Sequence, residues 1–324
     1  MATDSAISST GYLFPSPAPF PKPDPMQRDR TTLIATVLVV VTGTIWGLYW
    51  VPVRKLAELG LPGAWGTLAI VATAAVLLAP VAIRRRHHLA RSNPIALASI
   101  ALGGAAFVLY SVGLLYGRVA IIVILFFLTP VWSTLIGRYV MGWPTTRLRI
   151  AALFLGLAGL ALMLGADGQV PVPRGMGEWL GLISGFLWAV ATTGIRVKAD
   201  TGPLETAFVF ATGATIGAMI LAPLLPPATD PEPIRNIPAI IGWSLLAGGI
   251  WWGLSMCALM WATARLEPAR VGILLMVEVL TGAISAALMA GEHLGILEIA
   301  GGALVLCAGL CEVWPSRVAE PERA

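Results

Sequence analysis

Ten apolar segments separated by short polar loops make up most of this sequence, and they hold about 20 residues each. A helix of about 20 apolar residues crosses the ~30 Å hydrocarbon core of a bilayer. Helices are expected because every backbone polar group needs a partner in lipid, and the alternating pattern of a membrane barrel is absent from the sequence. The ten predicted spans are 32–53, 65–83, 94–116, 119–140, 148–164, 179–197, 204–225, 238–262, 271–290 and 294–314.

The composition agrees with a membrane setting. The chain is 57% hydrophobic and 12% charged, with a net charge of +4, whereas a soluble domain carries about 25% charged residues. The basic residues fall in loops, which argues against nucleic acid as a partner and favours the lipid bilayer. The three cysteines lie in apolar segments and the three histidines outside them. We therefore expect no disulfide framework, no metal site and no cofactor.

The distribution of Lys and Arg predicts the orientation. With the N-terminus inside, the inside loops and tails carry sixteen of these residues and the outside loops carry five. This bias predicts that both termini are cytoplasmic. Residues 1–30 are rich in proline and polar residues and are predicted to form a disordered tail, with a second cytoplasmic tail at 315–324.

The chain looks duplicated. The fourth and ninth spans match at an offset that is constant along both spans. The first and sixth spans match in the same way at a slightly different offset, and so do the third and eighth. The matched positions include Arg118, Leu128, Thr129 and Ser133 with Arg270, Leu280, Thr281 and Ser285, and Gly43 and Trp46 with Gly185 and Trp188. Two halves of five spans each, 31–165 and 178–314, follow from this alignment. Because five is odd, the halves enter the membrane from opposite sides, which is the inverted repeat typical of secondary transporters.

Three stretches resemble the EamA-like bacterial branch of the drug/metabolite transporter superfamily. They are GTIWGLYWVPVRK in the first span, LTPVWSTL in the fourth and GEHLGILEIAGGALVLCAGL through the tenth. The resemblance covers residues 32–314 and implies an all-α membrane protein with ten transmembrane helices in two inverted five-helix repeats. It implies a central cavity beside helices four and nine, with helices five and ten towards the edge. It also implies a bacterial inner-membrane protein that is a monomer or a loose homodimer.

Within the superfamily the chain is most similar to exporters of amino acids, including the aromatic amino-acid and paraquat exporter. It departs from the common pattern in two places. Gly282 stands where the ninth span usually has a proline, and Gly142–Trp143 replaces the usual Gly-Glu after the fourth span. Glu278 is not a general feature of the family either. Substrate and coupling are therefore not inherited with the resemblance.

Glu278 is the residue that most directly suggests a function. It lies near the middle of the ninth span, and Phe126 occupies the matching position of the fourth. At helical spacing it shares a face with Thr281 and Ser285, and such a polar stripe should face the protein interior or water. One interpretation is a cavity acid that pairs with a substrate ammonium or binds a proton during transport. The alternative is a structural glutamate hydrogen-bonded to a neighbouring helix.

The fourth span carries a matching stripe of Thr129, Pro130 and Ser133. Pro130 frees a backbone carbonyl that a substrate or a water molecule could use. The alternative is a kink whose carbonyl is satisfied by a Thr or Ser side chain.

Aromatic residues inside the spans form a second group of candidates. Aromatic faces can hold flat apolar groups or a cation, although packing or lipid contact is the usual role of a membrane aromatic. The residues selected for the substrate site are Trp46, Tyr49, Tyr110, Trp188 and Trp252, with Phe107 as a companion. The glycine pairs Gly103–Gly104 and Gly248–Gly249 are expected to allow close helix packing, with hinges for gating as the alternative.

The predicted function is a secondary transporter that exports a small-molecule substrate by alternating access. Amino acids or related amphiphilic or cationic compounds are the expected substrates. A channel-like pore or an uptake permease for small organic solutes stays an alternative. An intramembrane enzyme is disfavoured, because a membrane serine protease needs a His in the spans and a metalloprotease needs HExxH, and the sequence has neither.

Overall fold

A computed structural model describes residues 25–142, 146–166, 168, 172–198, 201–226, 233–234, 236–263, 265–266 and 268–313. All the regular secondary structure of these residues is helical. Residues 1–24 of the predicted N-terminal tail, the predicted tail 315–324 and Trp143 lie outside the described residues.

The helices are α1 (Pro25–Gly47), α2 (Trp50–Glu58), α3 (Ala64–Arg84), α4 (Arg86–Leu89), α5 (Pro94–Tyr116), α6 (Val119–Phe126), α7 (Thr129–Tyr139), α8 (Arg147–Leu164), α9 (Met176–Lys198), α10 (Pro203–Leu221), α11 (Ile237–Ala247), α12 (Met256–Thr263), α13 (Pro268–Leu275), α14 (Val277–Met289) and α15 (Ile296–Val313). A π-helical segment, Gly248–Ser255, joins α11 to α12. α1 begins inside the region predicted as tail, at a proline, which is favoured in a first turn because the N–H it lacks has no helical partner there.

Eight helical stretches of the described chain are long and apolar enough to cross a membrane. They coincide with the first eight predicted spans and run over Arg30–Glu58, Ala64–Arg84, Pro94–Tyr116, Val119–Tyr139, Arg147–Leu164, Met176–Ile195, Pro203–Leu221 and Ile237–Leu259. The last two predicted spans correspond to shorter apolar helices, Ile273–Met289 and Ile296–Cys311. The structure thus supports a multi-pass membrane protein, and the count of ten spans stays a prediction.

Two spans break where a proline removes a backbone donor. The first span breaks between α1 and α2, where Pro52 leaves the Leu48 carbonyl without its i+4 donor. That carbonyl accepts instead from the Val51 N–H at 3.1 Å. The fourth span breaks between α6 and α7, just before Pro130. The ninth span breaks at Met276 without a proline.

The spans pack across the two halves of the chain. α5 lies along α9 and α10, α3 packs on α10, α1 packs on α12 to α14, and α8 packs on α15. A Cβ on Gly104 would lie 2.0 Å from the Phe210 carbonyl oxygen, so α5 and α10 approach closely at this glycine. Gly103 likewise faces Trp188 and Phe210 closely. Both glycines occupy packed contacts, which favours packing over a hinge.

The periphery of the bundle is apolar. Large hydrophobic side chains such as Val76, Phe154, Leu288 and Ile296 are exposed. Soluble monomers rarely expose extended apolar surface, and lipid chains are a fitting environment for it. The principal contacts of α8 and α15 are with each other and with the broken fourth and ninth spans, which places both helices towards the edge.

The bundle has two opposite faces, the Arg54 face and the Arg265 face. The Arg54 face holds the ends of α2, α5 and α14, where Arg54 contacts the Leu114 carbonyl and the Glu292 carboxylate. The Arg265 face holds the other end of the ninth span, at the junction of α12 and α13.

Candidate functional site

A cavity of about 250 Å³ lies between the two halves of the chain, close to the breaks in the fourth and ninth spans. Its volume is below the about 300–1,000 Å³ of a pocket for a drug-sized ligand, so it suits a small solute. Twelve described residues line it: Trp46, Phe107, Phe126, Phe127, Thr129, Pro130, Trp188, Met256, Leu259, Leu275, Met276 and Glu278.

Glu278 is the ionisable residue among the described residues that line the cavity. It lies in the first turn of α14, directly after the break at Met276. The residue is only 9% exposed, and within the described chain its carboxylate makes no hydrogen bond or ion pair. The bond to a neighbouring helix that the sequence left open is therefore not formed among these residues. The carboxylate is available to a solute in the cavity.

The break in the fourth span satisfies its own backbone. Pro130 cannot donate to the Phe126 carbonyl, and the Thr129 hydroxyl takes its place, with Oγ1 2.7 Å from that oxygen. The same hydroxyl lies 3.3 Å from the Gly185 carbonyl. The carbonyl that Pro130 frees thus already accepts a side-chain hydrogen bond, as in the second interpretation of this motif. Thr129 and Pro130 still contribute to the cavity wall.

Aromatic rings form most of the remaining wall. Trp46 meets Phe107 edge-on with ring centroids 4.8 Å apart. Phe126 packs on Trp188 with ring centroids 6.4 Å apart. Tilted and edge-on contacts are preferred between aromatic pairs, so they hold these rings in place around the cavity. Trp46 and Trp188, which the repeat places symmetrically, both line it.

Three other predicted aromatics lie behind this wall. Tyr49, Tyr110 and Trp252 are at most 1% exposed and are not part of the lining. The Trp252 indole donates to the Tyr49 hydroxyl at 3.2 Å, so their polar atoms are occupied by each other. Tyr110 packs on the lining residue Phe126 with ring centroids 4.7 Å apart. These residues support the wall from behind.

The remaining polar candidates also lie outside the lining. The Ser285 hydroxyl accepts a hydrogen bond from the Trp50 indole at 3.0 Å. Thr281 packs against Gly47, where an added Cβ would lie 2.6 Å from the Thr281 Cβ. The face shared with Glu278 is therefore mostly covered by the first span. Ser133 is half-buried on α7 and is not among the lining residues.

The duplicated positions make equivalent contacts. A Cβ on Gly185 would lie 2.8 Å from the Phe126 carbonyl oxygen. A Cβ on the matching Gly43 would lie 2.6 Å from Val277 and 3.5 Å from the Glu278 backbone nitrogen. Each half thus lays a glycine of its first helix against the cavity position of the other half. In one half that position is an aromatic ring and in the other it is the acid.

The π-helical segment was not predicted from the sequence. It directs two adjacent indoles onto the first span: Trp251 donates to the Ile45 carbonyl at 2.7 Å, and Trp252 donates to Tyr49. The Trp46 indole in turn donates to Ser255 of the same segment at 3.0 Å. Short π segments inside α-helices often occur at functional sites. The Gly248–Gly249 pair at its start was the available signal, although a glycine pair alone does not specify a π-helix.

The lining also includes apolar residues that sequence reasoning did not select. They are Phe127, Met256, Leu259, Leu275 and Met276. Their side chains resemble any other apolar residue of a span, and only the helix crossings bring them to the cavity.

Comparison with known proteins agrees with this architecture. The model of the EamA-like transporter family matches the chain twice, over residues 33–165 and 175–311. One solved crystal structure of a protein is similar in fold. It has 14% sequence identity to this chain and a TM-score of 0.55, and the alignment covers 88% of this chain and 96% of the other. At that identity the likeness concerns the fold alone. The comparison with curated proteins returned no match. With both halves of its membrane region matched by one family, the chain belongs to the EamA-like transporter family.

Proposed function

We propose that this protein is a secondary transporter that exports small metabolites across a bacterial inner membrane by alternating access. Its substrates are amino acids, aromatic ones included, or related amphiphilic or cationic compounds. The observation that carries the proposal is the carboxylate of Glu278, which has no partner within the described chain and lies in an aromatic cavity between the two halves. An ionisable group inside a membrane is costly, and solute or proton binding accounts for its presence.

The helix contacts support an inverted arrangement of ten spans. If the two halves are exchanged, the third span takes the place of the eighth, and the sixth takes the place of the first. The third span contacts the sixth, and the eighth span contacts the first, as this exchange requires. The contact of the fourth and sixth spans corresponds in the same way to that of the ninth and first. The second and seventh spans, and the fifth and tenth, form pairs that map onto themselves. This exchange is expected of two halves related by a pseudo-twofold axis, and an odd number of spans in each half then requires that axis to lie in the membrane plane.

The position of the cavity supports an inward-facing conformation. The lining residues Leu259 of α12 and Leu275 of α13 lie on the Arg265 side of the break at Met276, so the cavity extends from the break towards the Arg265 face. Towards the Arg54 face the first span is sealed, with Tyr49, Trp50 and Val53 buried. With both termini cytoplasmic, the Arg265 face is the cytoplasmic one, from which an exported solute enters. We also propose that the protein is a monomer or a loose homodimer.

Counterflow in proteoliposomes tests the proposal. Vesicles with purified protein are loaded with unlabelled tryptophan, phenylalanine or tryptamine and diluted into a trace of the same labelled compound. A carrier exchanges internal for external solute, so we expect transient accumulation of label above its equilibrium level for at least one of these probes. Equilibration without an overshoot indicates a channel-like pore. Absence of protein-dependent flux for every probe contradicts the proposal.

A further inference from the structure

We propose that the substrate is an organic monocation with a flat apolar body and no carboxylate. This inference rests on the proposed function and narrows its substrate class. It follows from the charge balance of the cavity, from the state of its hydrogen-bonding groups, and from the aromatic rings that surround Glu278.

The charge balance favours a single positive charge. Among the described lining residues Glu278 is the ionisable one, an acid, and none is Lys, Arg or His. An ammonium group beside this carboxylate neutralises the site. A zwitterionic amino acid adds a carboxylate for which the described lining holds no cationic partner, and burying an unpaired charge is strongly unfavourable.

The hydrogen-bonding groups near Glu278 offer little to a second carboxylate. The Thr129 hydroxyl proton is already directed to the Phe126 carbonyl at 2.7 Å. Pro130 has no N–H, and the Val131 N–H is bonded to the Leu128 carbonyl at 2.9 Å. The Trp46 indole donates to Ser255 at 3.0 Å. The Trp188 indole N–H is the lining donor without an acceptor among the described residues. One neutral indole N–H does not neutralise a buried carboxylate, which needs a cationic partner.

The aromatic rings complete a site for a cation. Five of the lining residues are aromatic: Trp46, Phe107, Phe126, Phe127 and Trp188. The face of an aromatic ring attracts a cation, most strongly when both are shielded from water, and rings grouped around one point recognise ammonium ligands in this way. Their surfaces also accommodate a flat apolar body. A carboxylate beside such rings thus selects for both properties of the proposed substrate.

Three compounds that share an indole ring provide the test. Tryptamine carries an ammonium group, tryptophan carries an ammonium and a carboxylate, and tryptophol is neutral. Binding to the purified full-length protein is measured by calorimetry. One ammonium–carboxylate interaction corresponds to at least about tenfold in affinity, so tryptamine should bind at least about tenfold more tightly than either relative.

Variants separate the charge from other effects of substitution. Glu278→Gln should remove the preference for tryptamine over tryptophol, and Glu278→Asp, which keeps the charge, should retain it. The matched control Glu58→Gln changes an exposed acid on α2 and should leave all three affinities unchanged. Phe107→Leu should weaken tryptamine binding, whereas Phe154→Leu, on the exposed side of α8, should not.

The outcomes discriminate between the two proposals. Tryptophan bound as tightly as tryptamine overturns the monocation inference, while counterflow of tryptophan would leave the transporter proposal intact. Binding of none of the three compounds also overturns the inference. A tryptamine preference that survives Glu278→Gln overturns it as well, because the selectivity would then come from another group.

Discussion

Nη2 of Arg54 lies 3.1 Å from Oε1 of Glu292 and joins the first span to the segment after the ninth. The same Nη2 donates to the Gly117 carbonyl, also at 3.1 Å. Glu292 in turn accepts from the Val119 backbone N–H at 2.9 Å, at the start of α6, where a carboxylate is favoured by the helix dipole. The two residues therefore hold the ends of the first, third, fourth and ninth spans together at the Arg54 face.

We predict that Glu292→Gln loosens this face. The glutamine keeps an oxygen that can accept from the start of α6, but it cannot form the ion pair. We expect this loss to destabilise the closed state by about 1–3 kcal/mol. The reporter is Ser285→Cys, a buried position, in a background with Cys257, Cys307 and Cys311 changed to Ala. Labelling by an impermeant maleimide from the Arg54 face should become about 5- to 150-fold faster.

Glu58→Gln is the matched control for this measurement. Glu58 and Lys55 form an exposed pair at 2.8 Å on the same short helix, and such pairs contribute about 0–1 kcal/mol. Its labelling rate should equal that of the parent. Equal rates for the Glu292 variant and the parent would remove the ion pair from the closure of this face.

A second prediction concerns the contact of α5 with α10. An added Cβ at Gly104 would lie 2.0 Å from the Phe210 carbonyl oxygen and 2.7 Å from the Ala214 nitrogen, both backbone atoms. Gly104→Ala should therefore lower the stability by about 1–3 kcal/mol or more, because the helices must separate. Gly242→Ala, whose Cβ would meet nothing within 4 Å, should be neutral or gain up to about 1 kcal/mol. Thermal unfolding in detergent compares the two, and equal stability would contradict the close approach.

The lengths of the apolar segments predicted most of the fold. A helix that crosses a bilayer must be long and apolar, and its backbone N–H and C=O groups must all be hydrogen-bonded. The duplication carried further information. It placed Trp46 and Trp188 at equivalent positions, and the structure brings both to one cavity with Glu278. The lone acid was recognisable because a charge in a span is costly.

Details of the site depend on contacts that sequence spacing does not encode. The break at Met276 has no proline to signal it, and it places Glu278 at a helix start. Ser285 shares a helix face with Glu278, but the closeness of the first span turns its hydroxyl to Trp50. Helical periodicity assigns a face, and the crossing of neighbouring helices decides which part of that face reaches the cavity.

A third prediction tests the break in the fourth span. Thr129→Val removes the hydroxyl that bonds to the Phe126 carbonyl and should destabilise the protein by about 1–2 kcal/mol. In a Pro130→Ala background, the new N–H can supply that carbonyl, so the cost of Thr129→Val should fall. A double-mutant cycle by thermal unfolding measures the coupling. Additive effects within error would show that Thr129 does not compensate for Pro130.

The most direct measurement of the central claim is tryptamine counterflow by Glu278→Gln in proteoliposomes across pH 5–8, beside the native protein and Glu278→Asp. The variant keeps the size of the side chain but cannot bear a charge in the cavity. We expect loss of at least about tenfold in the initial rate, with no remaining pH dependence, and partial activity in the aspartate variant. A rate and a pH profile equal to those of the native protein would contradict the assignment of Glu278 as the charge-handling group of transport.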